Sequence, residues 1–343
     1  GCPLDHRARV QARQVQVYCA AGVEGWDGPW SEVARRGLDR ITTHFLKPDG
    51  LFRTRINPQG VALDETAMLY DQAFMLLAMA TAERAGIDGF DLKARSRSVL
   101  DALQHRRVAA GGFREEGRHP FQANAHMHLL EAALAWEDLH PDGGWSDLAD
   151  EVTQLAIDRF IDVEHSCLLE FFDEDWQPAT GPEGRLVEPG HQFEWSWLLA
   201  RMSLRRGRPD LLETALKLYD WGLRGVTDVP PRCVDALDSE GLLRNRTGRL
   251  WPQTEWLKAS LLLAQANAAN RREFYRDQAV SALDALQRYL SPHGLWRDKQ
   301  YGVARFDDDP SPASSLYHIM AGYQQLHETI AAVVPEGTEE VRL

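Results

Sequence analysis

Cysteines are few and widely separated in this 343-residue sequence. Cys2, Cys19, Cys167 and Cys233 are the four, and none of them belongs to a Cys-x-x-Cys pair or stands at a short metal-binding spacing from a histidine. Structural zinc sites need such short spacings, so the sequence gives no sign of one. We therefore predict free, reduced thiols and no metal site.

Long hydrophobic runs are also absent. No apolar stretch approaches the length of a membrane span, and no targeting peptide is recognisable, so we expect a globular protein in the cytoplasm. The net charge of -13 includes no long block of one sign. This disfavours nucleic acid and anionic membranes as partners, because both attract basic surfaces. A small, neutral ligand fits these limits best.

Alternating strand patterns are missing too, whereas apolar residues recur every three or four positions through most of the chain. This spacing predicts an all-α protein. We predict helices at 7–21, 29–46, 64–85, 91–107, 121–139, 145–161, 190–206, 208–224, 252–268, 271–290 and 312–333.

A similar short phrase follows every second predicted helix. The copies are GLFRTR (50–55), GGFREE (111–116), CLLEFF (167–172), GLLRNR (241–246) and GLWRDK (294–299). Repetition of this kind is typical of stacked helical pairs, which we expect to form a ring within one domain, residues 1–343. Six pairs need twelve helices. The eleven found here, with GCPLDHRARVQ leading directly into a helix, therefore predict that a first helix and its loop are absent from this sequence.

The stretch EPGHQFEWSW, residues 188–197, places polar residues at the start of a predicted buried helix. Pro189 and Gly190 are unsuited to a helix interior, so we expect His191 in the first turn. The unpaired N–H groups and the helix dipole there disfavour an added positive charge, which favours a neutral imidazole that accepts a proton. Glu194 shares its face and can hold a ring nitrogen or a substrate hydroxyl. The segment predicts a general base with its carboxylate, although a helix-start histidine beside a surface glutamate would give the same pattern.

Polar residues also interrupt the apolar helix that contains FQANAHMHLLEA. Asn124 and His128 are four residues apart and share a face, with Glu131 one turn beyond. His126 and His128 point to different sides of a helix, so the sequence HMH is a poor metal site. Taken singly, such residues are more typical of a hydrogen-bonded core than of a ligand site.

Three other helices carry isolated polar groups. In RLWPQTEWLKA, Trp251 and Glu255 share a face, and Pro252 is typical of a first helical turn. His318 lies among small and apolar residues in SSLYHIMAGY. Arg13 stands in the otherwise apolar helix of RVQARQVQVY and can bring a permanent positive charge into a pocket. The recurrence of such groups on alternate helices of a predicted ring favours a shared binding site.

Five motifs in register, RVQARQ, NAHMHLLEA, EPGHQFEW, WPQTE and SLYH, resemble the N-acylglucosamine 2-epimerase family of sugar epimerases and isomerases. The likeness spans nearly the whole chain. It implies an (α/α)6 barrel that interconverts aldoses, or an aldose and a ketose, without a metal or nicotinamide cofactor.

The resemblance also implies roles for particular residues. His191 would remove the proton from C2 of the sugar, His318 would be its acid or ring-opening partner, and Arg13 would bind the developing enediolate oxygen. The remaining expected ligands of the sugar are Asn124, His128, Glu194 and Glu255, which would hold hydroxyls, and Trp251, which would stack on the ring. All of these side chains are expected to face one cavity.

The reaction favoured by the sequence is the interconversion of free D-mannose and D-fructose, by a monomer or homodimer. WPQTE and the segment LYDQAF resemble the branch of the family that acts on free mannose. A 2-epimerase of mannose, glucose or N-acylglucosamine would need the same base, with His318 returning the proton to the opposite face of C2. The sequence leaves this alternative open.

Two further alternatives concern charged groups. Six arginines in the predicted loops would suit a phosphosugar such as mannose 6-phosphate; they are Arg53, Arg55, Arg114, Arg118, Arg244 and Arg246. Helical (α/α)6 barrels also include inverting glycoside hydrolases, for which Glu194 and Glu255 would be the carboxylate pair. Hydrolysis gives the two histidines no task, and a non-catalytic sugar-binding protein would need neither of them.

Overall fold

Each of the eleven predicted helices has a counterpart in the structure, a computed structural model that describes residues 4–227, 229–266, 271–302 and 305–333. Within these residues the α-helices are α1 (Ala8–Val23), α2 (Trp30–Arg40), α3 (Leu69–Arg84), α4 (Leu92–Leu103), α5 (Ala123–Leu139), α6 (Trp145–Leu155), α7 (Pro189–Arg206), α8 (Pro209–Arg224), α9 (Trp251–Ala266), α10 (Arg272–Gln287) and α11 (Ser315–Val333).

Three of these helices end in a turn of different pitch. A π-helical turn extends α2 over Ile41–Phe45 and α6 over Ala156–Phe160, and a 3-10 turn extends α4 over Gln104–Arg106. The predicted spans 29–46, 145–161 and 91–107 include these turns, because their apolar spacing continues past the last α-helical residue. A further 3-10 turn covers Gly181–Arg185.

The connecting segments contain short antiparallel strands of two or three residues. They are β1 (His6–Arg7), β2 (Arg55–Ile56), β3 (Ala62–Asp64), β4 (Phe121–Gln122), β5 (Phe171–Phe172), β6 (Leu186–Val187), β7 (Val226–Thr227), β8 (Arg232–Cys233), β9 (Ala236–Asp238), β10 (Leu243–Asn245), β11 (Gly248–Arg249), β12 (Lys299–Tyr301) and β13 (Arg305–Phe306). Strand β2 pairs with β1 and β3, β4 with β5, β6 with β9, β7 with β8, and β12 with β11 and β13.

The predicted start of the third helix at residue 64 is wrong. The segment Asn57–Gly60 forms a tight turn, in which the Gly60 N–H donates to Asn57 O at 3.0 Å and Gly60 adopts a positive φ of 88°. This turn folds β3 back on β2, with Arg55 opposite Asp64. Residues 62–64 therefore form a strand, and α3 begins five residues later than predicted.

The described residues fall into two compact units. The first lies within Gly1–Glu188, Leu237–Leu242 and Pro312–Tyr317, and the second within Pro189–Ala236, Leu243–Ser311 and His318–Leu343. Helix α11 thus contributes its first residues to one unit and the rest to the other. The single domain expected from the sequence stays a prediction.

Within each unit, odd-numbered helices pack against one another and against their even-numbered neighbours. In the first unit, α3 contacts α1, α4 and α5, while α1 also contacts α2 and α5 contacts α6. In the second, α7 contacts α8 and α9, and α9 contacts α10. Helices α3 and α9 are buried on nearly every side, whereas α2 buries only Ala34 and Leu38. Polar residues on α3 and α9 must therefore find partners inside the protein.

The repeated phrases share a structural role in the loops. In four copies, a residue just beyond the end of a helical pair forms a β-bridge with the phrase. The bridges are Leu46 with Phe52, Arg107 with Phe113, Ile161 with Leu168, and Leu290 with Trp296. The sequence repeat thus corresponds to a repeated hairpin after every second helix.

A buried glutamine fastens two of the loops to the next helix. The side chain of Gln72 in α3 accepts from the Phe52 N–H at 2.8 Å and donates to Phe52 O at 2.8 Å. In the same way, Gln253 in α9 accepts from the Cys233 N–H at 2.9 Å and donates to Cys233 O at 2.8 Å. Gln72 and Gln253 therefore each form a loop clamp, a pair of side-chain hydrogen bonds that ties a loop to the next helix.

His126 takes the place of this glutamine in α5. Its Nε2 accepts from the Phe113 N–H at 3.0 Å, and its Nδ1 donates to Gln122 O at 2.8 Å. Burial lowers the pKa of His126 to about 4, because the charged imidazolium would lose its hydration. His126 is thus a neutral structural residue, which agrees with the view that HMH is no metal site.

The described cysteines are free thiols, as predicted. Cys19, Cys167 and Cys233 are each buried, and no disulfide joins these described residues. Cys2 lies outside the described residues. None of the helices in the described part of the chain combines the length and apolarity needed to cross a membrane.

Candidate active site

The start of α7 brings His191 into the second unit's interior. Pro189 and Gly190 open the helix, so His191 lies in its first turn as predicted. His191 is 7% exposed and Glu194 is 1% exposed. A Cβ atom on Gly190 would lie 2.4 Å from the Trp251 ring, so only glycine leaves room for that indole at this helix end. The local sequence therefore sets a histidine and an aromatic ring side by side.

Trp251, the first residue of α9, contacts both predicted catalytic histidines. The centroid of its ring lies 4.9 Å from that of His191 and 5.6 Å from that of His318, each at a tilted angle. His318 comes from α11 and is 7% exposed. Three helices of one unit thus bring two imidazoles, which are able to transfer protons, against the flat apolar face of one indole.

Glu255 connects His318 to a lysine. One of its carboxylate oxygens accepts from His318 Nδ1 at 2.8 Å, and the other accepts from Lys258 Nζ at 2.7 Å. Burial alone would raise the pKa of Glu255, but the Lys258 ammonium and the His318 hydrogen bond outweigh it, so the pKa lies below its usual value. An ionised Glu255 assigns the proton of neutral His318 to Nδ1, which makes Nε2 the basic nitrogen of that ring.

Glu194 completes this group of buried side chains. One ligand atom from each of Glu194, Glu255 and His318 lies within 4.8 Å of the others, close enough for a divalent cation to bridge. The Lys258 ammonium already neutralises Glu255, and a second cation beside it would be repelled. The charge of Lys258 thus disfavours a metal ion beside these residues, and the expectation of no metal stays a prediction.

Arg13 is held by aromatic residues of the first unit. It lies in α1, is 7% exposed, and donates from one terminal nitrogen to the Tyr70 hydroxyl at 2.7 Å. Its guanidinium carbon lies 4.1 Å from the centroid of Phe74 and 5.2 Å from that of Tyr317. Stacking of this kind stabilises a buried cation without neutralising it, so the charge of Arg13 stays available to an anionic group.

His128 in α5 belongs to the same aromatic cluster. Its ring centroid lies 4.3 Å from that of Phe74, and its Nδ1 lies 3.2 Å from Glu131. Glu131 also accepts a hydrogen bond from the Tyr317 hydroxyl. Asn124, one turn before His128, is half-buried, and its side-chain oxygen has no hydrogen-bond partner.

The structure thus sorts the eight predicted site residues into two sets. His191, Glu194, Trp251, Glu255 and His318 come together in the second unit, while Arg13, Asn124 and His128 lie in the first. The expectation that all eight face one cavity stays a prediction.

Sequence reasoning missed Lys258, Tyr317 and Phe74 as members of these clusters. A signal existed for Lys258, because it follows Glu255 by three residues on one helix face and stands in an apolar run. Tyr317 and Phe74 carried no such signal, since an aromatic residue in an apolar helix is typical of any core.

Four of the six loop arginines are ion-paired in the first unit. The pairs are Arg53 with Glu65, Arg55 with Asp5, Arg114 with Glu174, and Arg118 with Glu183. Arg244 and Arg246 are exposed in and beside β10.

Comparison with known proteins places the chain in a family. A model of the N-acylglucosamine 2-epimerase family matches residues 3–322, and the chain belongs to that family. It is 42% identical to a mannose-6-phosphate isomerase of Rhizobium meliloti (strain 1021), covering 95% of this chain and 87% of that protein. It is 26% identical to a D-mannose isomerase of Pseudomonas cannabina pv. alisalensis, covering 90% and 80%. The protein is therefore an isomerase or epimerase of sugars.

A solved structure gives the fold. A D-mannose isomerase crystal structure matches 94% of this chain and 87% of its own, with a TM-score of 0.83 at 22% identity. The predicted all-α class and (α/α)6 barrel fold are confirmed by this likeness.

Proposed function

We propose that the protein interconverts an aldose and a ketose of the mannose and fructose type. The observation that carries this proposal is the contact of His191 and His318 with one indole, with His318 fixed by an ionised Glu255. Aldose–ketose isomerisation needs a base at carbon and a second group that moves protons at oxygen. Two imidazoles of this kind meet that need.

The proposed reaction moves one proton between neighbouring carbons. His191 takes the proton from C2 of the open-chain aldose, and the electron pair forms the enediolate across C1 and C2. Protonated His191 then returns a proton to C1, which gives the ketose. His318, whose basic nitrogen is Nε2, transfers protons at the sugar oxygens during ring opening and enolisation. No redox partner is needed, because hydrogen is only relocated.

A histidine alone is too weak for this step. A proton beside a carbonyl has a pKa in the high teens, against about 6.5 for imidazole, a mismatch on the order of 15 kcal/mol. Charge stabilisation must remove much of it. We propose that Arg13, a cation stacked on Phe74, binds the enediolate oxygen. Sugar hydroxyls are assigned to Asn124, His128, Glu194 and Glu255, and stacking on the sugar to Trp251.

The geometry favours this reaction over glycoside hydrolysis. Inverting hydrolases hold their carboxylates about 6.5–9.5 Å apart to admit a water. The nearest oxygens of Glu194 and Glu255 lie within 4.8 Å of each other, and Glu255 is already bonded to His318 and Lys258. A carboxylate engaged in this way is a poor general acid or base for hydrolysis.

Free D-mannose is the substrate that the ion pairs of four of the six loop arginines favour. A phosphate on C6 would need unpaired cations, whereas Arg53, Arg55, Arg114 and Arg118 each face a carboxylate. The second candidate is D-mannose 6-phosphate, because the relative at 42% identity is named as its isomerase. A neutral monosaccharide ligand, a monomeric or homodimeric state and a cytoplasmic location remain proposals drawn from the sequence.

Product analysis tests the proposal directly. The purified protein is incubated separately with D-mannose, D-mannose 6-phosphate and N-acetylglucosamine, and products are separated by carbohydrate chromatography. We expect fructose from mannose. Formation of fructose 6-phosphate alone would make the phosphosugar the substrate, while glucose from mannose or N-acetylmannosamine from N-acetylglucosamine would make the enzyme a 2-epimerase.

A further inference from the structure

Lys258 is a buried cation that none of the roles above uses. It lies in α9, is 1% exposed, and its Nζ is 2.7 Å from Glu255 Oε2. The same ammonium lies 4.1 Å from the ring centroid of Trp197 in α7. Trp197 is itself fixed, because its Nε1 donates to Gln325 of α11 at 2.7 Å. Burial of a charged lysine costs free energy, and this cost indicates that its contacts here serve a function.

The two carboxylate oxygens of Glu255 contact different partners. Oε2 faces Lys258, and Oε1 faces His318 Nδ1 at 2.8 Å. A neutral Glu255 would carry a proton of its own and could donate it to Nδ1. A charged Glu255 can only accept, which fixes the direction of the bond to His318. The charge on Glu255 therefore decides which nitrogen of His318 meets a ligand.

We propose that Lys258 is a positioning residue whose ammonium keeps Glu255 ionised, so that His318 holds its proton on Nδ1 and works through Nε2. This inference rests on the proposed function for His318. Lys258 itself would touch no reacting atom. It acts through Glu255, as a buried carboxylate acts through histidine in other enzymes.

Glu255 has a second carboxylate beside it, so a nearby positive charge is needed to keep Glu255 ionised. Glu194 of α7 places an oxygen within 4.8 Å of both Glu255 and His318, which adds a second carboxylate to the group. His318 of α11 and Lys258 of α9 are the basic groups that face Glu255. If His318 is to cycle between neutral and charged forms, Lys258 is the cation whose charge stays constant through the cycle.

The experiment compares Lys258→Met, Lys258→Gln and Lys258→Arg with wild type. Without the ammonium, burial raises the pKa of Glu255, so this carboxylate protonates at a higher pH. We expect kcat to fall on the order of 10- to 100-fold in Lys258→Met, more than KM changes, and the acid limb of the kcat profile to move to higher pH. Lys258→Arg should recover most of the activity. Lys258→Gln keeps a donor without charge and replaces the methionine variant if that one does not fold.

Lys217→Met is the matched control. Lys217 pairs with Glu213 at 2.8 Å on the exposed face of α8, so its loss should leave kcat and its pH profile unchanged. A Lys258→Met or Lys258→Gln profile that matches wild type would overturn the proposal.

A second readout needs no turnover. Ring ¹⁵N resonances of the histidines report which nitrogen carries the proton, and the His318 signal is identified by its loss in His318→Gln. We expect the Nδ1–H form in wild type and its loss in the uncharged Lys258 variants. An unchanged His318 tautomer would refute the role of Lys258 even if mannose is isomerised. A changed tautomer in a protein that fails to convert any sugar would refute only the proposed function.

Discussion

Gly190 allows the indole of Trp251 to reach the first turn of α7. Its missing side chain leaves space that a Cβ would share with two ring carbons of Trp251 at 2.4 Å and with Pro252 at 3.1 Å. Because Trp251 contacts both His191 and His318, the geometry of the proposed reaction depends on this one glycine.

We expect Gly190→Ala to displace Trp251 and impair catalysis. Misplacement of a positioning group by an ångström costs on the order of 100-fold, so kcat/KM should fall by about 10- to 100-fold. Overpacking should also cost about 1–3 kcal/mol of stability. Steady-state kinetics on mannose, with a urea unfolding curve, measure both effects.

Gly322→Ala is the control at a helical glycine of the same unit. A Cβ there would meet Thr254 at 3.6 Å, an ordinary contact, so we expect unchanged kinetics and up to about 1 kcal/mol of added stability. Equal kinetics for Gly190→Ala and Gly322→Ala would show that the position of Trp251 is unimportant.

The positions of single site residues were easier to predict from the sequence than their hydrogen-bond partners. The prediction that His191 lies in a first turn follows from Pro189 and Gly190, which act locally on the backbone. The bond between Glu255 and His318 joins residues 63 positions apart, and no local pattern encodes it. Lys258 was missed although its spacing from Glu255 is a local signal, since spacing alone does not distinguish a buried ion pair from a solvated one.

At the level of elements, the helices were predictable because apolar spacing directly reflects which face is buried. The strands were not, since two or three residues are too short for an alternating pattern. The start of α3 was predicted wrongly because residues after the turn at Asn57–Gly60 pair with β2. Backbone pairing of this kind leaves little sign in the pattern of apolar and polar side chains.

The loop clamps lead to a prediction about His126. Folded His126 resists protonation until about pH 4, whereas the unfolded residue is protonated near pH 6.5. The unfolded state therefore binds more protons between these values, so stability falls as the pH is lowered through this window. Between pH 6.5 and pH 4, this single residue should lower the free energy of unfolding by up to about 3 kcal/mol.

Replacement of His126 by Gln should remove that dependence. Gln72 and Gln253 likewise accept from a loop N–H and donate to the carbonyl four residues earlier, Met68 O and Arg249 O, so a glutamine is expected to fit and to fasten Phe113. Urea unfolding of wild type and His126→Gln at pH 7 and pH 4.5 provides the measurement. The stability of the variant relative to wild type should rise on acidification; parallel pH dependences would contradict the assignment.

At the level of the whole molecule, the repeated phrases and five motifs in register were enough to predict the family and fold class. Both kinds of pattern are distributed over the chain, so a local error such as the wrong start of α3 does not change the predicted family or fold class. The choice between free and phosphorylated mannose was harder, because it depends on whether arginines such as Arg114 and Arg118 meet a ligand or a carboxylate. Only coordinates reveal such pairings.

The most direct measurement of the central claim is mannose turnover in heavy water by wild type, His191→Ala and His327→Ala. His327 is an exposed residue of α11 and serves as the control. We predict fructose with deuterium at C1 from wild type and from His327→Ala, and a rate at least about 100-fold lower from His191→Ala. Fructose formation by His191→Ala at the wild-type rate would contradict proton transfer by this histidine.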